Sequence, residues 1–302
     1  MNIFMEEKEQ KKGVQQLTFK DYNNAMNPTW CPGCGDYGIL MGLKQALVEL
    51  QLQPYQTLVV WGIGCSGNMS NWVNVYGIHG LHGRAMPVAT AAKLVNPKLT
   101  VIVEGGDGDG YGIGIGHFIH AMRRNLDITY IVHNNQIYGL TTGQTSPTSD
   151  HGFKTKSTPC GVIERPINPL ALALSSDASY IARGFSGDVN HLRGLIADGI
   201  LHRGFSLIDV LQPCITFNYQ NTYDWFRERV YKVQDIEGYD TSNKQKAYER
   251  ALEWGPKIPI GLLYKEERGI YSDEFDHLAK DEAVVEHDIA NVDIAKTLQS
   301  YV

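Results

Sequence analysis

The chain reads as an α/β protein, a mainly parallel sheet flanked by helices with a helical C-terminal extension, on three observations. Apolar, β-branched runs of strand length recur at 57–61, 99–103, 128–132 and 205–212. Amphipathic stretches long enough for crossover helices lie beside them, as parallel pairing requires. Glycine-rich or polar segments follow the strands, on the edge where open α/β sheets usually bind ligands.

In chain order, residues 1–26 form a polar, charged N-terminal arm, and residues 27–217 form the compact α/β domain. Cys31-Pro-Gly-Cys34-Gly turns into a helix whose Ile39, Leu40, Leu43, Leu47 and Leu50 fall at helical spacing. The strand at 57–61 runs on into Gly-Ile-Gly-Cys65-Ser66-Gly. The strand at 99–103 enters an acidic glycine turn, Gly105 to Gly110, followed by a helix over 113–124 and a strand over 128–132 ending at Asn134-Asn135. Beyond 217 the pattern changes to charged helical stretches at 224–231 and 243–254 and an acidic tail around 273–288. Residues 218–302 are therefore expected to be an extension that clasps a partner.

The 302 residues, 43% of them hydrophobic, suffice for one large domain or one domain with an extension. A formal net charge of −6 argues against a general nucleic-acid binder. No signal peptide or membrane-length apolar run is evident, so the expected location is the cytoplasm, with no membrane contact.

The strand, glycine turn, helix and strand from 99 to 135 put Asp107 and Asn135 at the carboxyl ends of neighbouring parallel strands. Asp107, Asn135 and the Ile137 carbonyl offer three oxygen ligands, a set that suits octahedral magnesium better than a soft metal. A diphosphate on that metal would meet the free N–H groups at the start of the following helix. No Gly-Lys dipeptide forms a Walker A loop, and no G-x-G-x-x-G phase fits glycines 105 to 116, which disfavours nucleotide hydrolysis and dinucleotide binding.

Five cysteines occur, at 31, 34, 65, 160 and 214. In a cytosolic chain a metal cluster accounts for them better than disulfides do. Cys65 and Cys214 end strands on the edge that holds Asp107 and Asn135. With Cys31 and Cys34 they point to a [4Fe-4S] cluster beside the diphosphate site, although a Cys-x-x-Cys pair also serves structural zinc or redox chemistry. Cys160, in Ser-Thr-Pro-Cys-Gly, reads as a small apolar residue in a loop.

GDG followed some two dozen residues later by NN resembles the thiamine diphosphate motif. Together with IHAMRRN at 119–125, NNQIYGLTTGQTSPTS at 134–149, LHGRAMPVAT at 81–90 and, more weakly, KIPIGLLYKEER at 257–268, it resembles the β subunit of 2-oxoacid:ferredoxin oxidoreductases. The resemblance implies a thiamine diphosphate-binding fold. It makes Asp107, Asn135 and Ile137 the magnesium ligands, with Asp109 the lesser candidate, and Cys31, Cys34, Cys65 and Cys214 the cluster ligands. Cofactor contacts are expected from Gly64, Cys65, Ser66, His82, Gly106, Asp107, Gly108, Asp109, Asn135, Ile137, Tyr138, Gly139, Leu140 and Thr141. Residues 142–148 should form a cofactor-side loop. His82 and Arg84 are candidates for contacts to phosphate or substrate carboxylate, and His79 is a further one.

The implied activity is coenzyme A-dependent oxidative decarboxylation of a 2-oxoacid to acyl-CoA and CO2, with electrons leaving through the cluster to ferredoxin. 2-Oxoglutarate is slightly favoured and pyruvate is the other candidate. Thiamine enzymes use a glutamate carried by a second domain, for which this chain has no room, so an α subunit is expected in an αβ or α2β2 assembly. Some family members carry a basic residue three positions after the third cysteine, where this chain has Asn68. That puts a local anchor for a distal carboxylate in doubt and leaves Arg84, Lys93 or the α subunit to supply it. The competing function is a subunit of a non-redox thiamine diphosphate decarboxylase or carboligase with a structural cysteine–metal site.

Overall fold

The computed structural model describes residues 16–275, 283–286 and 294–301. The strands are β1 (Thr57–Trp61), β2 (Tyr76–His79), β3 (Thr100–Gly106), β4 (Ile128–Asn134), the short hairpin β5 (Ile137–Tyr138) and β6 (Gln144–Thr145), β7 (Tyr180–Phe185), β8 (Phe205–Leu211), β9 (Val230–Lys232) and β10 (Ile258–Lys265). The α-helices are α1 (Asp36–Glu49), α2 (Ala85–Val95), α3 (Ile115–Arg123), α4 (Pro169–Ser175), α5 (Val189–Leu201), α6 (Tyr223–Arg227), α7 (Lys244–Ala251) and α8 (Ile294–Gln299). Eight strands form one sheet in the order β2-β1-β3-β4-β8-β7-β10-β9. Every pair in it is parallel except β7 with β10.

The strands read as continuous apolar runs because helices cover both faces of the sheet. Leu58, Val60, Val101 and Val103 pack with residues of α2, α3, α4 and α7 on one side. Val59, Trp61, Ile102 and Ile131 pack with residues of α1 and α5 on the other. Strand alternation sends neighbouring residues of β1 and β3 to opposite cores.

Both the expected arm before residue 27 and the expected extension after residue 217 make contacts with the sheet domain. Tyr22 is fully buried, and its hydroxyl donates to the Leu47 and Leu52 carbonyls at 3.0 and 2.5 Å, so the arm is packed against α1 from Leu17 onward. Residues 1–15 lie outside the described residues. The C-terminal segment adds β9 and β10 to the sheet, with a register shift between Leu262 and Tyr264. Charged helical patterning around it hid β10, a strand of alternating and continuous apolar residues buried against β7. The acidic tail lies partly outside the described residues, and no partner clasp is read from it. Among the described residues, no helix is long and apolar enough to cross a membrane.

The unit around the glycine turn has the expected topology, with β3 and β4 adjacent and parallel. Its details differ from the sequence reading in one respect. β3 runs three residues past Val103, and the chain then winds into a single wide π-helical turn, Gly108–Ile113, that breaks at Gly112 before α3 begins. Such turns occur often at functional sites. This one follows Asp107 directly.

Candidate active site

A cavity of about 520 Å³ opens at the carboxyl edge of β1, β3 and β4. Every residue expected to contact the cofactor lines it: Gly64, Cys65, Ser66, His82, Gly106, Asp107, Gly108, Asp109, Asn135, Ile137, Tyr138, Gly139, Leu140 and Thr141. Ile63, His133 and Gln144 line it as well. Arg84 and His79 do not.

Asp107 is 1% exposed, and its Oδ2 accepts hydrogen bonds from the Ser146 and Thr148 hydroxyls at 2.5 and 2.6 Å. Burial raises its carboxyl to about 6 against the pull of those two hydroxyls. The residue is a caged carboxylate with both hydroxyls on one oxygen, and its cost of ionisation is one that a divalent cation offsets. Asn135 turns its side-chain oxygen to the Ile137 N–H at 3.0 Å, which leaves that oxygen a second lone pair. Asn134 serves the frame instead. Its amide donates to Asp209, which also holds Tyr111 and Arg183.

Asp109, the lesser candidate for metal ligand, is a brace. Its Oδ1 accepts the N–H groups of Ile63 and Gly83 at 2.9 and 2.8 Å and lies 3.2 Å from His82 Nδ1. One carboxylate thus ties the glycine turn to the end of β1 and to the His-Gly-Arg turn. Gly62 leaves room for it, since a Cβ there would stand 2.2 Å from its Oδ2. Arg84 closes the same turn: its guanidinium donates to the Gly83 and Ile113 carbonyls at 3.1 and 3.3 Å. His79 sits on β2, exposed, and does not line the cavity, although it lies in electrostatic range of Asp109.

The cavity shows two signs of a built binding site. The Ser66 hydroxyl is buried on its wall without a hydrogen-bond partner, the state of a group waiting for a ligand atom. Gly108 admits the Tyr138 ring, which would lie 2.2 Å from a Cβ there, and the Tyr138 hydroxyl donates to the Gly108 carbonyl. These residues fit a metal-bound diphosphate.

Beneath the cavity lies a feature with no counterpart in the sequence reading. His133 is 1% exposed; its Nδ1 is 2.6 Å from Asp36 Oδ1 and its Nε2 2.5 Å from Glu104 Oε2. Burial pulls the imidazole down, but Glu104 and Asp36 outweigh it and hold the ring at about 9, a buried imidazolium between two carboxylates. The signal was present in the sequence: Glu104 and His133 are polar residues inside otherwise apolar strand runs. Replacing His133 with Ala leaves two buried carboxylates uncompensated. We expect a loss of about 3–5 kcal/mol of unfolding free energy in chemical denaturation, and His133→Gln should recover part of it.

The cysteines gather at the same edge. Cys31 is exposed, Cys34 and Cys214 are buried, and Cys65 is half-buried. By strand order Cys65 follows β1 and Cys214 follows β8, three strand spacings or roughly 14 Å apart. The loops fold back over the sheet, and a Cβ placed on Gly139 would lie 3.4 Å from Cys65 Sγ and 3.6 Å from Cys214 Sγ. Gly139 therefore marks a recess shared by the sulfurs and the cofactor cavity.

Burial raises the Cys65 thiol to about 12, with Asp36, Cys214 and Cys31 adding to the rise. Burial raises Cys34 too, helped by Asp36 and Cys214. Burial also raises Cys214, countered by the main-chain N–H groups of Phe217, Thr216 and Asn218. Cys65 thus lies in electrostatic range of Cys31 and Cys214, and Cys34 in range of Cys214, and a soft metal centre would stabilise the thiolates that burial disfavours. Among the described residues, no three His, Cys, Asp or Glu side chains draw together tightly enough to hold one metal ion. Cys160 is exposed, not buried, and does not join them.

Residues 62–210 match the family model of the C-terminal TPP-binding domain of thiamine pyrophosphate enzymes, and residues 214–280 match that of the C-terminal part of the pyruvate ferredoxin oxidoreductase β subunit. The chain is 49% identical to the 2-oxoacid:ferredoxin oxidoreductase subunit beta of Saccharolobus solfataricus, over 79% of this chain and 82% of that one. It is 46% identical to subunit beta of 2-oxoacid:ferredoxin oxidoreductase 1 of Aeropyrum pernix, over 80% and 79%. The structure resembles that of 2-oxoglutarate:ferredoxin oxidoreductase from Magnetococcus marinus, solved with 2-oxoglutarate, coenzyme A and succinyl-CoA bound. The TM-score is 0.87 at 38% identity, covering 96% of this chain and 98% of the other. With that level of identity over four fifths of its length, this chain belongs to the β subunits of the 2-oxoacid:ferredoxin oxidoreductases.

Proposed function

We propose that the chain binds thiamine diphosphate through magnesium and, with an α subunit, performs coenzyme A-dependent oxidative decarboxylation of a 2-oxoacid, passing electrons through a [4Fe-4S] cluster to ferredoxin. The reading rests chiefly on Gly139, which lines the cofactor cavity and abuts the sulfurs of Cys65 and Cys214. Asp107, the Asn135 amide oxygen and the Ile137 carbonyl would hold the magnesium. The N–H groups of the wide turn at Gly108–Ile113 and the Ser66 hydroxyl would face the diphosphate. Cys31, Cys34, Cys65 and Cys214 would hold the cluster.

When bound, the cofactor supplies the carbon nucleophile that releases CO2, and the cluster takes the electrons one at a time. The protein's own part is to fix the metal, neutralise the diphosphate and orient His82, which Asp109 steadies at the cavity wall. Asp107 ionises near pH 6, and proton and metal compete for it. The affinity for magnesium–thiamine diphosphate should therefore fall about tenfold per pH unit below 6 and level off above 7, as read by calorimetric titration between pH 5 and 8.

The favoured substrate is 2-oxoglutarate, in view of the likeness to the Magnetococcus marinus enzyme. Among the described residues, no Lys or Arg lines the cavity. Asn68 is not in its wall, Arg84 holds main-chain carbonyls, and Lys93 pairs with Asp127 at 2.6 Å and donates to the Pro97 and Leu99 carbonyls. A cation for the distal carboxylate would therefore come from the α subunit. The test is anaerobic purification of the chain with its partner, iron and sulfide counts, and assays with 2-oxoglutarate and pyruvate. About four irons per chain and oxoacid-dependent ferredoxin reduction are expected; a colourless protein with zinc on its cysteines would overturn the redox reading in favour of a carboligase.

A further inference from the structure

Gln212 belongs to neither the cavity nor the cysteine set, yet it connects the two. It is fully buried at the end of β8, two residues before Cys214. Its main-chain N–H donates to the Asn134 carbonyl at 3.0 Å, beside the metal ligand Asn135. Its side-chain amide donates to Cys34 Sγ at 3.4 Å and to the Pro213 carbonyl at 3.0 Å. The glycine after Cys34 makes the reach possible: a Cβ on Gly35 would stand 2.8 Å from Gln212 Cγ, and the Gly35 N–H returns a bond to the Pro213 carbonyl at 3.1 Å. The Cys-Pro-Gly-Cys-Gly turn and the Gln-Pro-Cys segment therefore interlock around one amide.

Among the described residues, this amide is the one side-chain N–H that donates to any of the four sulfurs. A second group meets the same sulfur. Cys34 Sγ lies 3.4 Å from Asp36 Oδ2, a contact that a thiol satisfies by donating its proton. An iron-bound thiolate has no proton to give, so the carboxylate then faces it as a like charge, held in place by His133. The Gln212 N–H suits the thiolate and gains strength from its charge.

We propose that Gln212 is a positioning residue that sets the reduction potential of the cluster, its N–H···S bond to Cys34 offsetting the negative charge of Asp36. Hydrogen bonds to the sulfurs and local charge are two of the levers that fix such potentials. Each electron added to the cluster puts more negative charge on its sulfurs, so a donor there stabilises the reduced form, and its loss drives the potential down. The inference rests on the reading that these cysteines hold a cluster.

The experiment is potentiometric titration, followed by EPR, of the anaerobically purified chain with its partner, as wild type and as Gln212→Met, which keeps length and volume but donates nothing. The variant should need a more negative potential for half-reduction. At fixed potential its reduced-to-oxidised ratio should fall about tenfold, roughly 59 mV for one electron. An unchanged midpoint would overturn the proposal. Should the variant fail to load iron, wild-type protein labelled with ¹⁵N in its glutamine side chains decides the matter by pulsed EPR. A hyperfine coupling to a glutamine amide nitrogen is expected, and its absence would equally overturn the proposal. Wild-type protein without an iron–sulfur signal would instead remove the cluster assignment itself, a different failure from a cluster whose potential ignores Gln212.

Discussion

Asp107→Asn is expected to abolish retention of thiamine diphosphate, to lower activity by on the order of a thousandfold or more, and to leave the iron–sulfur absorbance in place. The loss is large because the carboxylate is the one formal negative charge among the proposed magnesium ligands, and neither Asn135 nor the Ile137 carbonyl replaces it. The same change should stabilise the cofactor-free chain. A carboxyl held at about 6 instead of its ordinary 3.8 costs about 3 kcal/mol to ionise at neutral pH. The sign follows from linkage: the folded state keeps the proton up to a higher pH than the unfolded state, so this group favours folding in acid and opposes it progressively as pH rises to 6. Asparagine cannot ionise and still accepts from Ser146 and Thr148. Cofactor-free Asp107→Asn should therefore unfold at higher denaturant concentration than wild type at pH 7.5, with the advantage fading below pH 5. Retained cofactor binding in the variant would sink the assignment of Asp107 as metal ligand.

Cys214→Ala should produce the reciprocal phenotype, with loss of the iron–sulfur band, ferredoxin reduction down by at least about a hundredfold, and cofactor affinity within a few-fold of wild type. Cys214 is the informative choice because its side chain is outside the cofactor cavity, whereas Cys65 lines it. Burial raises its thiol, and the main-chain N–H groups of Phe217, Thr216 and Asn218 counter that rise in favour of the thiolate. Cys160→Ser, at an exposed position apart from the others, should change neither property. Parallel loss of cofactor and iron in Cys214→Ala would contradict the separation of the two sites.

The pair of sites illustrates what each level of description carries. Asp107 and Asn135 were legible because each follows an apolar run of strand length, and one crossover helix between them forces their strands to be parallel neighbours. The same local logic placed Cys65 and Cys214 on the correct edge. It could not place them together, since β1 and β8 stand three strands apart and the meeting at Gly139 depends on how two loops fold over the strands between. Arg84 and Asp109 were singled out through the family resemblance as contacts to phosphate, substrate or metal. What only the folded chain shows is that both also serve main-chain groups, since buried turns must satisfy their N–H and C=O groups.

β10 escaped notice for a related reason. Its neighbours in sequence are charged helices, while its neighbours in space, β7 and β9, come from distant segments. The order of the chain established the class of fold and singled out the acidic glycine turn and four of the five cysteines as candidates, all of which follow from short-range patterns of apolar spacing, glycine and ligand chemistry. The buried Asp36–His133–Glu104 triad, the bracing role of Asp109 and the contact of Gln212 with Cys34 required the folded molecule, because each joins residues from separate strands and turns through charge and hydrogen bonding that only burial makes decisive.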